Sequence, residues 1–219
     1  KTKKIFLIDC GSNFGFYSLF SASLSPENKI ISLEASPKTF KDQEENIKLN
    51  NFKSIQLLNL AVSDVENEKL KLNESKNDWE SSISREDLEK IKTTIVKTTT
   101  IDSLLINKSL ENFNLILKLD VEGYECDVLY GAFETIKNNN PLIIVEISKY
   151  MQSNKKYNFD FLDEFLSNFN YSIYTPEFKK ISFLEIQKKL NILPERHFTI
   201  GNCFLVKKGS NFENLISLI

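Results

Sequence analysis

Short apolar runs alternate with longer amphipathic stretches along this chain, and the hydrophobic period switches repeatedly between that of a buried strand and that of a helix. Residues 5–8 form the first apolar run. Residues 16–24 read as a helix that Pro26 ends. A second strand is expected at 29–33. Ser36 followed by Pro37 is a cap and first-turn pair in the order helices prefer, opening a polar helix to about residue 50. A third strand is expected at 55–60. Residues 64–78 are charged and only alternate weakly, and 79–92 are polar and read as partly helical, so 65–92 looks like a surface insert. The β-branched run 93–100 should be extended, 115–119 is a short buried strand, and 126–138 places Leu129, Phe133 and Ile136 on one helical face. Another strand at 142–147 follows Pro141. Phe161, Leu162, Phe165, Leu166 and Phe169 mark an amphipathic helix, and 171–175 and 198–206 read as closing strands with a helix or loop between them. The alternation argues for one α/β domain across residues 1–219, a sheet with helices on both faces.

Composition narrows the setting. With 219 residues, 41% hydrophobic and 26% charged, the chain has enough apolar surface for a substantial core. A net charge of -2 carries no electrostatic footprint for nucleic acid, so none is expected as partner. No run reaches the roughly 18 apolar residues of a membrane span. The cytoplasm is the expected location, and with Lys1 rather than methionine at the start an N-terminal piece is expected to have been cut away or not supplied. Cys10, Cys126 and Cys203 are widely spaced with no C-x-x-C pairing and read as buried small hydrophobes. Nothing specifies an oligomeric state.

Candidate chemistry begins where the first strand ends. Asp9-x-Gly11-x-Asn13-x-Gly15 is a glycine turn leading into a helix start, where backbone can approach a ligand and helix N–H groups are unpaired. A dinucleotide site favours G-x-G-x-x-G with small residues against the pyrophosphate. Here Phe14 and Phe16 are bulky and Asp9 would repel a phosphate, so the ligand expected is cationic and phosphate-free; S-adenosylmethionine fits. Glu34 ends the second strand 19 residues after Gly15, near the offset at which an acid grips both ribose hydroxyls. Ser63 and Asp64, after the third strand, are placed to flank an adenine.

The run Asp120-Val121-Glu122-Gly123-Tyr124-Glu125 puts three carboxylates at another strand end. Such a group is costly to bury unless a cation, a donor or a proton neutralises it. The ammonium of the cofactor, an acceptor hydroxyl and a metal ion are the alternatives; Glu122 and Glu125 also suit a first helical turn. Asp120, Glu122 and His197 are the available general bases, with Glu122 favoured and His197 read as structural. No metal is assigned, since a hard divalent cation wants several converging oxygen ligands.

Asp9-Cys10-Gly11-Ser12-Asn13-Phe14-Gly15, Leu33-Glu34-Ala35-Ser36-Pro37, Ala61-Val62-Ser63-Asp64, Thr99-Thr100-Ile101-Asp102-Ser103-Leu104, Leu117-Lys118-Leu119-Asp120-Val121-Glu122-Gly123-Tyr124-Glu125 and Pro141-Leu142-Ile143-Ile144-Val145-Glu146, in this order, resemble the FkbM family of S-adenosylmethionine-dependent methyltransferases. The chain departs from that pattern at Leu33-Glu34-Ala35, where the family often has Phe-Glu-Pro, and at Ile101, where leucine is usual. The resemblance implies a Rossmann-like seven-stranded sheet, mostly parallel with one antiparallel strand, bound S-adenosylmethionine, and methyl transfer to a hydroxyl of a small-molecule or glycan acceptor. It also places Trp79, Ser81 and Ser82 of the insert, with Arg85 beside them, near that acceptor. Two other readings compete: a nicotinamide-dependent oxidoreductase, and a binding module of the same fold without turnover.

Overall fold

The computed structural model describes residues 4–75, 90–153, 156, 157, 159–194 and 199–218. Its first half runs β1 (Lys4–Cys10), α1 (Phe16–Leu24), β2 (Lys29–Leu33), α2 (Pro37–Leu49), β3 (Ile55–Leu58), β4 (Ala61–Val62), β5 (Lys69–Ser75) and β6 (Lys90–Thr99). There follow α3 (Ile101–Leu105), β7 (Phe113–Leu119), α4 (Glu125–Tyr130), α5 (Phe133–Asn139), β8 (Leu142–Ser148) and α6 (Lys149–Ser153). The chain closes with α7 (Phe159–Asn168), β9 (Tyr171–Tyr174), β10 (Lys180–Ile181), α8 (Phe183–Ile192), β11 (Thr199–Lys207) and α9 (Asn211–Ile216).

The apolar runs assemble into an eight-stranded sheet in the order β10-β9-β11-β8-β7-β1-β2-β3. β3, β2, β1, β7 and β8 are mutually parallel, and β11 runs antiparallel to β8 and β9. The expected seven strands with one reversed become eight with two reversed, the extra one being the two-residue edge strand β10, antiparallel to β9. It arises because Thr175 N–H donates to the Lys179 carbonyl and Phe178 N–H to the Thr175 carbonyl, at 2.9 Å each, with Phe178 at φ 59°, closing a tight hairpin. Two residues are too few to show an alternation.

The segment expected as a surface insert carries structure of its own. β4, β6 and β5 form a small second sheet, with Ala61, Leu72 and Val96 buried together beneath it. Lys90 to Lys92, expected within a partly helical stretch, begin β6 instead. The helix expected over 126–138 is two helices, α4 and α5. Gly131 lies so close to the Ser63 carbonyl that an added Cβ would stand 2.2 Å from it. Asp102 starts the second helix afresh: its carboxylate accepts from Glu134 N–H at 3.0 Å and Thr135 N–H at 2.8 Å, while its own N–H donates to the Gly131 carbonyl. Leu129 and Ile136 are fully buried, whereas Phe133, expected on the same face, is 42% exposed. The Ser36 cap forms as expected, its hydroxyl accepting from Thr39 N–H at 3.3 Å with Pro37 in the first turn.

The main core lies against the central strands, where Ile8, Leu33, Leu117, Leu119, Ile143 and Val145 are fully buried. Cys10, Cys126 and Cys203 are all buried and none is in a disulfide. No described helix is long and apolar enough to cross a membrane.

Candidate functional site

Strand register assembles the site. Cys10 stands beside Leu33 of β2 and Leu119 of β7, and Leu119 beside Val145 of β8. The next residue of each strand therefore falls in one row along the carboxyl edge of the sheet, in the order Glu34, Gly11, Asp120, Glu146. Parallel α/β sheets bind ligands at this edge.

The glycine turn is held from both sides. Gly11 and Ser12 N–H groups both donate to the Leu33 carbonyl at 3.0 Å, and Gly15 N–H donates to the Ser12 carbonyl at 2.8 Å. Gly11 has φ +71°, and a Cβ there would sit 1.9 Å from the Asp120 carbonyl oxygen, so the turn needs glycine for closeness as well as for dihedral angle. Gly15, also left-handed, precedes α1, which has no side-chain cap. The first N–H groups of α1 thus face the turn without a capping side chain.

Glu34 lies under this turn. One carboxylate oxygen accepts from Asn13 N–H at 2.9 Å and the other from Ser36 N–H at 2.8 Å. Burial pushes its carboxyl up to about 7 despite those two hydrogen bonds. A carboxylate offers about four lone-pair positions, so roughly two remain for a diol. Asn13 has φ 50°, and its side-chain oxygen is buried without a hydrogen-bond partner. An orphaned acceptor beside a half-used carboxylate and an uncapped helix start fits a ligand that brings hydroxyl and ammonium donors, as S-adenosylmethionine does.

Asp9 is buried beneath the turn rather than lining it. Its carboxylate takes the Ser18 hydroxyl at 2.6 Å, and burial pushes it up to about 6. Its neighbour across the β1–β7 pairing is Lys118. The Lys118 ammonium donates to Asp120 at 2.9 Å from a side chain only 1% exposed, while the Asp120 side chain remains 36% exposed.

The loop between β7 and α4 is clamped from within. Glu125 is fully buried, and one of its oxygens accepts from Val121 N–H at 3.1 Å and Gly123 N–H at 3.2 Å. Burial pushes this carboxyl up to about 8. The loop it holds places Glu122 and Gly123 at φ 54° and 102°, with Gly123 packed so tightly on Tyr150 that a Cβ would meet the tyrosine Cβ at 2.8 Å. Asp120, Glu122 and Glu146 then present oxygens that all lie within 4.8 Å of one another. Burial first, and Asp120 second, push the Glu146 carboxyl up. Three converging carboxylates suit a hard divalent cation, and equally suit a proton leaving an acceptor hydroxyl.

The structure thus brings together Asp9, Gly11, Asn13, Gly15, Glu34, Asp120 and Glu122. Ser63 and Asp64 are engaged by other segments of the chain. Asp64 pairs with Lys156 at 2.5 Å and accepts from the Tyr157 hydroxyl at 3.3 Å, and Ser63 hydrogen-bonds Asp64 and backs Gly131. Trp79, Ser81, Ser82, Arg85 and His197 lie outside the described residues. Glu146 and Lys118 are the site residues that sequence reasoning does not single out; an acid closing one apolar strand and a lysine inside another were the available signals. A cavity of about 770 Å³ lined by Asp102, Phe113 and Thr135 opens at the far end of β7 and has none of these groups.

Among solved structures, the chain resembles the methyltransferase FkbM from Methylobacillus flagellatus KT, with TM-score 0.54, 15% identity, 93% of this chain covered and 43% of that one. It also resembles SMU.1697c from Streptococcus mutans, crystallised in complex with SAH, with TM-score 0.49, 10% identity, 93% of this chain covered and 89% of that one. The first likeness establishes the fold, and the chain spans less than half of that protein's length. No curated protein matches the chain. The family model of the methyltransferase FkbM domain matches residues 9–173, from the buried aspartate of β1 through the glycine turn, the Asp120 loop and β8 into β9, and the chain accordingly belongs to the FkbM methyltransferase family.

Proposed function

We propose that this methyltransferase domain binds S-adenosylmethionine across the Gly11–Gly15 turn and transfers its methyl group to a hydroxyl oxygen of a small-molecule or glycan acceptor. The observation that carries the reading is the Glu34–Asn13 pair: a buried carboxylate with lone pairs to spare beside an orphaned amide oxygen, both at the mouth of a turn that only glycine permits.

Glu34 would take the two ribose hydroxyls, and Asn13 together with the uncapped start of α1 would hold the amino-acid end. When bound, the cofactor supplies an electrophilic methyl on a sulfonium, the C–S bond breaking as the acceptor's O–C bond forms. A hydroxyl is a weak nucleophile near neutral pH, and the Asp120–Glu122–Glu146 cluster offers carboxylates to receive its proton. Glu122 is the favoured base, carried on the clamped loop beside Asp120, one oxygen of which accepts from Lys118. The clamped loop between β7 and α4 fixes these groups in place, and correct placement is the larger part of the task in a two-substrate displacement.

Thermal melting with S-adenosylmethionine, SAH and NADH in parallel tests the cofactor: stabilisation by the first two is expected, and stabilisation by NADH alone refutes the reading. Mass detection of products across sugar and small-alcohol acceptors then tests the transfer, and addition of one methyl mass to a hydroxyl is the result expected.

A further inference from the structure

Among the described residues Lys118 is the largest fully buried side chain, in a strand that is otherwise mostly apolar. Burying an ammonium is costly, and an ion pair inside a protein is often no more stabilising than an apolar side chain of the same size. Folding alone gives little reason for a lysine here. Its position is specific. The ammonium donates to Asp120 at 2.9 Å, lies 5.2 Å from the centre of the Tyr17 ring that covers it, and pulls the carboxyls of both Asp9 and Glu146 downward. Asp9 in turn is tied through Ser18 to Ser32 of β2, at 2.6 Å and 2.8 Å. Lys118 therefore stands as the counter-charge between the carboxylate beneath the glycine turn and the cluster at the reaction centre.

We infer that Lys118 is a positioning residue that holds Asp120 and offsets the negative charge facing the cofactor, so that the site does not over-stabilise the sulfonium. This rests on the cofactor reading above. Methyl transfer discharges a cation. Carboxylates left uncompensated beside it would favour the charged ground state over a transition state in which that charge is dispersing, which slows the reaction however tight the binding. A buried ammonium among Asp9, Asp120 and Glu146 reduces that penalty, yet stays sealed from the ligand itself.

The test compares the sulfonium ligand with its demethylated thioether, which differs from it by one methyl group and one unit of charge. Affinities for S-adenosylmethionine and SAH are measured by calorimetry on the wild-type chain, Lys118→Met and Lys118→Gln. Removing the ammonium should shift the affinity ratio roughly tenfold toward S-adenosylmethionine, as expected for loss of one unit charge several ångströms away in a partly screened site. SAH binding should stay within about threefold of wild type, a control that a purely structural defect would fail. If one variant does not fold, the other decides. A ratio within twofold of wild type overturns the inference and leaves the cofactor reading standing, whereas wild-type protein that binds neither ligand overturns both.

Discussion

Replacing Glu34 with alanine removes a part of the cofactor reading that can be dissected without knowing the acceptor. Its carboxylate holds two backbone N–H groups and keeps about two lone pairs for a ribose diol. Hydrogen bonds to a charged group contribute about 1.5–3 kcal/mol each, so losing two weakens binding by at least about 3 kcal/mol, or roughly 100-fold. With S-adenosylmethionine at about 100 times the wild-type Kd, the wild-type chain gains about 2.7 kcal/mol. At the same concentration the variant gains only about 0.4 kcal/mol. For a domain of this size 1 kcal/mol corresponds to about 2–4 °C, so a ligand-induced shift of about 5–11 °C should fall to about 1 °C.

The melting temperature without ligand is a poor measure of the same substitution. Glu34→Ala strands the Asn13 and Ser36 N–H groups, which destabilises, but also removes a carboxyl that burial pushes up to about 7, which stabilises. The difference between ligand-bound and ligand-free melting, taken at pH 7.5 by scanning fluorimetry, cancels both. A variant whose ligand-induced shift stays within 2 °C of wild type would show that the ribose is not at Glu34 and refute the reasoning.

Gly11→Ala should cost about 3 kcal/mol or more in urea unfolding, because its Cβ would stand 1.9 Å from the Asp120 carbonyl at φ +71°; an unchanged midpoint would contradict the packing of β1 against β7. The ligand-free protein should lose stability as pH rises. Asp9, Glu34 and Glu125 are raised by burial to about 6, 7 and 8, so each favours the folded state fully below its ordinary carboxylate range. That contribution is lost as pH climbs through those values, by up to about 1.4 kcal/mol per pH unit for each group. Melting temperatures from pH 5 to pH 8 should therefore fall, and Glu125→Gln should flatten the fall; a rising profile would falsify the sign. If Asp120, Glu122 and Glu146 hold a required cation, methyl transfer will stop on exhaustive chelation and return with Mg²⁺, whereas turnover that survives chelation assigns the cluster to proton transfer alone.

Much of this architecture was legible in one dimension. Periodicity located the strands at 29–33 and 115–119 and the α1 helix, since burying one face imposes a period of two or 3.6 on any chain that does it. The Ser36–Pro37 start was readable because capping is a local hydrogen bond. Local signals failed where distant segments intervened. The break between α4 and α5 is dictated by the Ser63 carbonyl and the Asp102 carboxylate, which come from elsewhere in the chain. The partners of Asp64, Lys156 and Tyr157, were equally invisible in sequence, lying 92 and 93 residues away.

By itself the sequence determined the α/β alternation, the glycine turn, the acids at 34, 120 and 122, and the likeness to a methyltransferase family, because each is written in contiguous residues. Tertiary structure alone decided that positions 34, 11, 120 and 146 form one row, that Glu146 joins Asp120 and Glu122, and that Lys118 is sealed among them. Strand order and register convert large sequence separations into neighbouring strands, and the charges that result interact through a buried interior in which their mutual positions set what each can do.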